Sequence, residues 1–121
     1  MNTKPNILFI EDEEELRNIL KKVIEKEGYA VDVSSTGQGA IGKVRKKRYD
    51  LVITDLRLPG MSGQEAIKRI EEISPNLKFI IISGYQLDSA LEAKIKKGTY
   101  SFFGKPFLNQ DVISEIKRLV G

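Results

Sequence analysis

Short apolar runs alternate along this chain with longer segments in which apolar residues return every three or four positions. The short runs are typical of parallel strands buried on both faces, and the longer segments are typical of amphipathic helices. The pattern therefore predicts a strand followed by a helix, repeated five times. The predicted strands are residues 6–10, 30–34, 51–54, 77–82 and 100–103.

The first predicted helix covers about residues 13–27 and ends at Gly28, which is a typical stop signal. Its apolar face is continuous and consists of Leu16, Ile19, Leu20, Val23 and Ile24. The later helices follow the same spacing. The third helix is predicted over residues 66–73 and ends before Pro75. The fourth is predicted over residues 87–95 and ends before Gly98, and the fifth over residues 112–120.

The second helix, around residues 37–47, has the weakest pattern. Gly39 and Gly42 each cost about 1 kcal/mol relative to Ala inside a helix, so we expect it to be short or mobile. Strands that alternate with helices require right-handed crossovers, which place helices on both faces of a parallel sheet. The sequence therefore predicts a doubly wound α/β fold, in one domain over residues 1–121.

The amino-acid composition limits the kinds of binding and catalysis that the protein can carry out. Lys and Arg number 20 against 17 Asp and Glu, and they are spread over many segments, which does not favour direct nucleic-acid binding. We interpret the basic run 45–48 as the cationic end of the second helix, where it complements the helix dipole. With no cysteine and no histidine, the chemistry must use oxygens and amines. The apolar runs are too short to span a bilayer, and we expect a cytoplasmic protein without a membrane partner.

Acidic residues follow two of the predicted strands. Glu11 and Asp12 come after the first strand, and Asp55 comes after the third. Ligands collect outside the carboxyl ends of such strands, and crowded carboxylates favour a hard cation such as Mg²⁺. Two plainer interpretations stay open at this point. Asp12 with Glu15 matches an acidic capping box, and Asp55 alone fits an ordinary loop acid.

Two further strand ends carry Ser83 and the pair Lys105-Pro106, and residues 55–63 contain the segment DLRLPGMSG. In this order, over essentially the whole chain, the motifs resemble a response-regulator receiver domain of two-component signalling. The resemblance implies a flavodoxin-like (βα)5 three-layer sandwich with sheet order 2-1-3-4-5. It also implies that a histidine kinase, or a phosphotransfer protein, supplies a phosphoryl group to Asp55.

The resemblance also assigns roles around Asp55. Asp12 and Asp55 would bind Mg²⁺ directly, Glu11 would act through water, and the backbone carbonyl of Arg57 would complete the protein ligands. The hydroxyl of Ser83 would approach the phosphoryl group, and Lys105, next to a cis proline peptide, would neutralise its charge. Alone, Ser83 fits a turn serine and Lys105 a surface lysine.

Phe102 matches the aromatic switch position of the family, although on its own it fits a plain core residue. The implied output surface is the fourth helix, the fifth strand and the fifth helix. That surface would serve an output domain or effector, or a homodimer formed through the helix 4 to helix 5 face. Arg57 and Tyr85 would flank the path of an attacking water, which predicts slow loss of the phosphoryl group.

Three other functions compete with this one. A haloacid-dehalogenase-like phosphatase would carry a second acid two residues after the nucleophile, where this chain has Arg57. A flavodoxin-like cofactor carrier would need a phosphate-binding loop after the first strand, and that loop is acidic here. A degenerate receiver would only bind proteins. We therefore expect a switch that catalyses only its own phosphorylation and dephosphorylation, and not a turnover enzyme.

Overall fold

The computed structural model of the protein describes residues 4–84 and 87–121. Strands and helices alternate through these residues, as the apolar pattern predicts. The order is β1 (Asn6–Ile10), α1 (Glu14–Lys26), β2 (Ala30–Ser34), α2 (Gly37–Lys46), β3 (Leu51–Asp55), α3 (Gly63–Ile73), β4 (Lys78–Ser83), α4 (Ser89–Lys96), β5 (Tyr100–Gly104) and α5 (Asn109–Val120).

The strands form one parallel sheet in the order β2-β1-β3-β4-β5, which confirms the predicted topology. β3, β4 and β5 each extend one residue beyond their predicted ends. Asp55 and Ser83 are consequently the last residues of their strands, and Ser83 pairs with Gly104 of β5. These two residues are therefore held by hydrogen-bonded strands, whereas Glu11, Asp12 and Lys105 lie in the loops just beyond β1 and β5.

The helices cover both faces of the sheet, so the molecule has the expected three layers. Alternate residues of β1 point to opposite faces: Leu8 and Ile10 belong to one core, Ile7 and Phe9 to the other. The first core also contains Ile41 of α2, Ile70 of α3 and Leu91 of α4. The second core contains Leu20 and Ile24 of α1, with Val112 and Ile116 of α5.

Helix α2 differs from the expectation that it would be short. It has 10 residues and covers nearly the whole predicted range, whereas α4 has 8. Two of its glycines are closely packed: a Cβ on Gly37 would lie 3.1 Å from the Cβ of Ala66 in α3, and one on Gly39 would lie 2.7 Å from Ser34 Oγ, whereas one on Gly42 would meet nothing within 4 Å. Close packing there offsets the low helix propensity. The mobility of α2 stays a prediction.

Candidate functional site

The carboxylates after β1 and β3 meet at the carboxyl edge of the sheet. Oxygen atoms of Glu11, Asp12 and Asp55 all lie within 4.8 Å of one another. Asp12 is exposed, whereas Glu11 and Asp55 keep only 1% and 5% of their accessible surface. Carboxylates this close repel each other, the more so because two of them are buried, so the group favours a cation. The predicted clustering of these acids is confirmed.

Lys105 supplies a positive charge to this group from the loop after β5. Its Nζ lies 2.6 Å from Asp55 Oδ2 and 3.2 Å from Glu11 Oε1. Burial alone lowers the pKa of Lys105, but its hydrogen bond to Asp55 and the charges of Glu11 and Asp55 outweigh it and raise the pKa overall. Lys105 therefore remains an ammonium. The Lys105-Pro106 peptide is cis, as expected from the proline.

Glu11 is held in place by hydrogen bonds to the backbone of Glu13 and of Ser34 in β2. Its Oε2 accepts a hydrogen bond from the Glu13 N–H at 3.0 Å, and its N–H donates to the Ser34 carbonyl at 2.9 Å. Burial raises the pKa of Glu11, against the hydrogen bonds from Glu13 and Lys105, which lower it. The carboxylate is therefore positioned but poorly solvated.

The capping interpretation of Asp12 is wrong. The N-cap residue of α1 is Glu13, and it makes no side-chain capping hydrogen bond. The carboxylate of Glu11 accepts the Glu13 N–H instead. Asp12 thus sits one residue ahead of the cap, with its exposed side chain beside Glu11 and Asp55.

The loop after β3 folds back over the strand end because of Gly63. A Cβ on Gly63 would lie 2.4 Å from the Asp55 carbonyl oxygen and 2.5 Å from Leu56 Cα, so only glycine fits. The loop is closed by the Gly63 N–H, which donates to the Leu56 carbonyl at 2.8 Å. Within it, the Arg57 N–H donates to Asp55 Oδ1 at 3.0 Å. Both Asp55 oxygens are therefore engaged.

An open cavity lies above these residues and gives a small group access to Asp55. It is lined by Glu11, Asp12, Glu13, Asp55, Arg57, Leu58, Pro59, Gly84 and Lys105. Ser83, just before Gly84, is buried to 1% exposure, and its carbonyl accepts the Lys105 N–H at 2.9 Å. That bond ties the ends of β4 and β5 together. The phosphate-contacting role of the Ser83 hydroxyl stays a prediction.

Two further residues, Phe102 and Tyr85, are predicted to take part in switching and in controlling the access of water. Phe102 is half-buried and packs against the core beneath α2, α3 and α4, and its switching role stays a prediction. Tyr85, expected to flank the path of water, lies outside the described residues.

Arg17 is a residue that the sequence analysis missed. Its Nη1 donates to the Glu11 carbonyl at 3.0 Å and approaches the Asp12 carbonyl at 3.4 Å. The only signal in the sequence is an arginine on the first helix, five residues after Asp12. Surface arginines at such positions are common, so the contact could not be predicted from the pattern.

The sequence profile described as the response regulator receiver domain matches residues 7–117. Sporulation initiation phosphotransferase F of Bacillus subtilis is 37% identical over 119 residues, covering 98% of this chain and 94% of that protein. Chemotaxis protein CheY of Thermotoga maritima is 33% identical over 114 residues, covering 93% of this chain and 95% of that protein.

A solved structure, the response regulator TrrA of Thermotoga maritima in complex with Mg²⁺-BeF, is 29% identical to this chain with a TM-score of 0.81. The likeness covers 96% of this chain and 99% of TrrA. These matches support a receiver and not a haloacid-dehalogenase-like phosphatase. Receiver domains work with histidine kinases or phosphotransfer proteins in phosphorylation-based signalling. The chain belongs to the response regulator receiver domain family of two-component systems.

Proposed function

We propose that Asp55 is the phosphoacceptor of this receiver and that Mg²⁺, Lys105 and Ser83 assist the transfer. The observation that carries the proposal is the position of Asp55. Its carboxylate is almost fully buried at the end of a central strand, yet it opens into a cavity and lies 2.6 Å from an ammonium. A buried acid within such a cavity suits reaction with a small charged group.

The donor set fits a magnesium ion. Three carboxylates lie within 4.8 Å of one another, Asp12 makes no ion pair in the described residues, and oxygen ligands are the preference of Mg²⁺. We assign direct coordination to Asp12 and Asp55, a water-mediated contact to Glu11, and the last protein ligand to the Arg57 backbone carbonyl. When bound, the ion would offset negative charge on the carboxylates and on the phosphoryl oxygens.

The chain's own groups complete the reaction. An Asp55 carboxylate oxygen forms a bond to phosphorus while the bond from phosphorus to the donor breaks, and the donor leaves with that electron pair. Lys105 already touches the Asp55 carboxylate, so its ammonium follows the incoming phosphoryl oxygens with little movement. Ser83 would donate a hydrogen bond to a phosphoryl oxygen. Catalysis is then mostly positioning and electrostatic stabilisation, as phosphoryl transfer requires.

The output would arise from the loops that carry Ser83 and Lys105. Ser83 ends β4, ahead of α4, and Lys105 follows β5, ahead of α5. New phosphoryl oxygens interact only in the modified state, so they bias these loops and rotate Phe102 inward by packing. The proposed output surface is α4, β5 and α5, which would contact an output domain or effector, or a second copy of the chain.

The same proposal extends to the extent of the unit, its partners and its location. The chain would act as one receiver unit over residues 1–121, without direct nucleic-acid binding, and would catalyse only its own phosphorylation and dephosphorylation in the cytoplasm. Among the described residues, no helix is long and apolar enough to cross a membrane. Slow loss of the phosphoryl group is expected from Arg57, which lines the cavity.

Intact mass spectrometry after incubation with Mg²⁺ and acetyl phosphate tests the proposal. We expect one added phosphoryl group in the wild type and none in Asp55→Asn. Asp111→Asn is the matched control, because Asp111 is an exposed acid in the first turn of α5. A wild type that takes up no phosphoryl group would favour the degenerate, protein-binding receiver. Equal phosphorylation of Asp55→Asn would move the acceptor to another residue.

A further inference from the structure

We infer that Arg17 is a positioning residue for the metal site. It acts by clamping the backbone of the loop that carries Glu11 and Asp12. The inference rests on the proposed Mg²⁺ site and assigns to that site a residue outside its ligand set. Its basis is the guanidinium Nη1, which contacts the carbonyls of both acidic residues, at 3.0 Å and 3.4 Å.

The two acids depend on the clamp to different extents. The Glu11 side chain is already fixed by the Glu13 N–H and by Lys105, and it is buried. The Asp12 side chain is exposed, so solvent and the chain's own motion compete for its direction. Fixing the peptides on either side of that side chain limits where its carboxylate can point. Asp12 is therefore the proposed ligand that gains most from Arg17.

Helix α1 gives the clamp a firm base. Arg17 lies on the first turns of α1, where its own N–H donates to the Glu13 carbonyl at 2.9 Å. The helix is anchored by Leu20 and Ile24, which are fully buried in the second core. The loop after β1 is thus held at its start by the sheet, through the Glu11 N–H and Ser34, and further along by a side chain from a packed helix.

Charge and positioning predict opposite effects, so the two can be separated. The guanidinium is a cation close to a cation site, and through charge alone its removal would tighten Mg²⁺ binding. If it acts by positioning, its removal loosens Asp12 and weakens binding. Groups that orient metal ligands typically contribute about 10- to 100-fold in metal affinity. Because Arg17 is half-buried and holds backbone rather than a ligand atom, we expect the lower end of that range.

The experiment measures Mg²⁺ binding directly by titration calorimetry, with Arg17→Met as the main variant. We expect its Kd for Mg²⁺ to be about tenfold higher than that of the wild type. Arg17→Lys, which keeps the charge and a donor, should recover part of the affinity. Lys22→Gln removes an exposed charge from the same helix and should leave the Kd unchanged.

A second readout separates positioning from chemistry. The phosphorylation rate with acetyl phosphate is followed against Mg²⁺ concentration. Arg17→Met should need about tenfold more Mg²⁺ for half-maximal rate and should reach a maximal rate close to that of the wild type. Urea unfolding in EDTA checks that the variant is folded. Should Arg17→Met fail that check, Arg17→Gln takes its place in both measurements.

The outcomes separate this inference from the proposed function. A wild type that binds no Mg²⁺ and takes up no phosphoryl group would overturn both. A wild type that does both, beside a folded Arg17 variant that binds Mg²⁺ equally well or more tightly, would overturn only the role of Arg17. A fall in maximal rate with an unchanged Mg²⁺ dependence would also contradict it, because that pattern would place Arg17 in the chemical step.

Discussion

Two lysine–carboxylate groups at different places on the sheet show how similar contacts serve different ends. Lys105 binds Asp55 and Glu11 at the carboxyl ends of the central strands, and Lys47 binds Asp32 of the edge strand β2 at 2.9 Å. The side chains of Asp55 and Glu11 are 7% and 1% exposed, against 38% for Asp32. Burial therefore distinguishes the two groups before their chemistry is considered.

The charge balance differs as well. At the edge, Asp32 is satisfied by Lys47 and by the Tyr49 hydroxyl, which donates to Asp32 at 2.7 Å. At the centre, Lys105 contacts Asp55 and Glu11, which belong to a cluster of three carboxylates. The half-exposed group joins Lys47 at the end of α2, and Tyr49 in the segment before β3, to the edge strand β2. The crowded central group, in which Glu11 and Asp55 are buried, retains an affinity for a cation and a reactive oxygen. The difference separates a structural contact from a functional one.

The largest expected difference between the groups is in reaction rate. Replacing Lys105 by Met removes the ammonium beside the attacking carboxylate. We expect phosphorylation by acetyl phosphate at saturating Mg²⁺ to slow on the order of 100- to 1,000-fold, the usual effect of losing one preorganised donor. Lys47→Met is the matched control and should react like the wild type. Time courses of intact mass measure both, and similar losses in the two variants would contradict the distinction.

A smaller difference should appear in stability. Mg²⁺ at about 100 times its Kd should raise the free energy of unfolding by about 2.7 kcal/mol, because the ion binds only the folded acid cluster. Asp12→Asn should lose most of this gain, and Asp32→Asn should keep it. Urea unfolding with Mg²⁺ or with EDTA makes the comparison. A gain that survives Asp12→Asn, or that disappears in Asp32→Asn, would place the ion elsewhere.

The smallest expected effect is the loss of stability at acid pH that arises from Asp32 and its partners Lys47 and Tyr49. The hydrogen bonds from Tyr49 and Lys47 lower the pKa of Asp32 below its ordinary value of 3.8. Because the pKa is lowered on folding, the stabilisation is complete at pH values above the ordinary pKa of Asp32. It is lost as the pH falls through the lower pKa of the folded state. Since Asp32 and Lys47 are both more than a third exposed, we expect Asp32→Asn to cost less than about 1 kcal/mol at neutral pH.

Urea unfolding in EDTA across the acid range checks this pH dependence. The gap in unfolding free energy between the wild type and Asp32→Asn should be constant at neutral pH and should close at low pH. Asp111→Asn, which removes an exposed acid on α5, serves as the control for net charge. A gap that widens toward low pH would show that Asp32 is not stabilised in its charged form.

Much of the fold was predictable because it depends on patterns that repeat. The bounds of β1 and β2 are as predicted. β1 contains an unbroken apolar run, as is typical of buried parallel strands, whereas the edge strand β2 alternates apolar and polar residues. The meeting of Glu11, Asp12 and Asp55 followed from parallel strands sharing one edge. What failed depended on single contacts in three dimensions. Two glycines of α2 pack closely against Ala66 and Ser34, and no propensity scale includes such contacts.

The start of α1 shows the same limit at the site itself. The capping box pattern favoured Asp12, but the Glu13 N–H is satisfied by Glu11, a residue of the strand end. Arg17 and the pairing of Asp32 with Tyr49 were also missed, because they join residues whose types carry no special signal. Chemistry that gathers at strand ends can thus be predicted, whereas the side chains that support it need the structure.

The most direct test of the central claim is the position of the phosphoryl group. After reaction with acetyl phosphate and Mg²⁺, borohydride reduction marks an aspartyl phosphate permanently, and peptide mass spectrometry then locates the mark. We expect a reduced residue at Asp55 in the wild type, dependent on Mg²⁺, and none in the peptides that contain Glu11 and Asp12. A mark on one of those two acids, or an equal mark at Asp55 in EDTA, would contradict it.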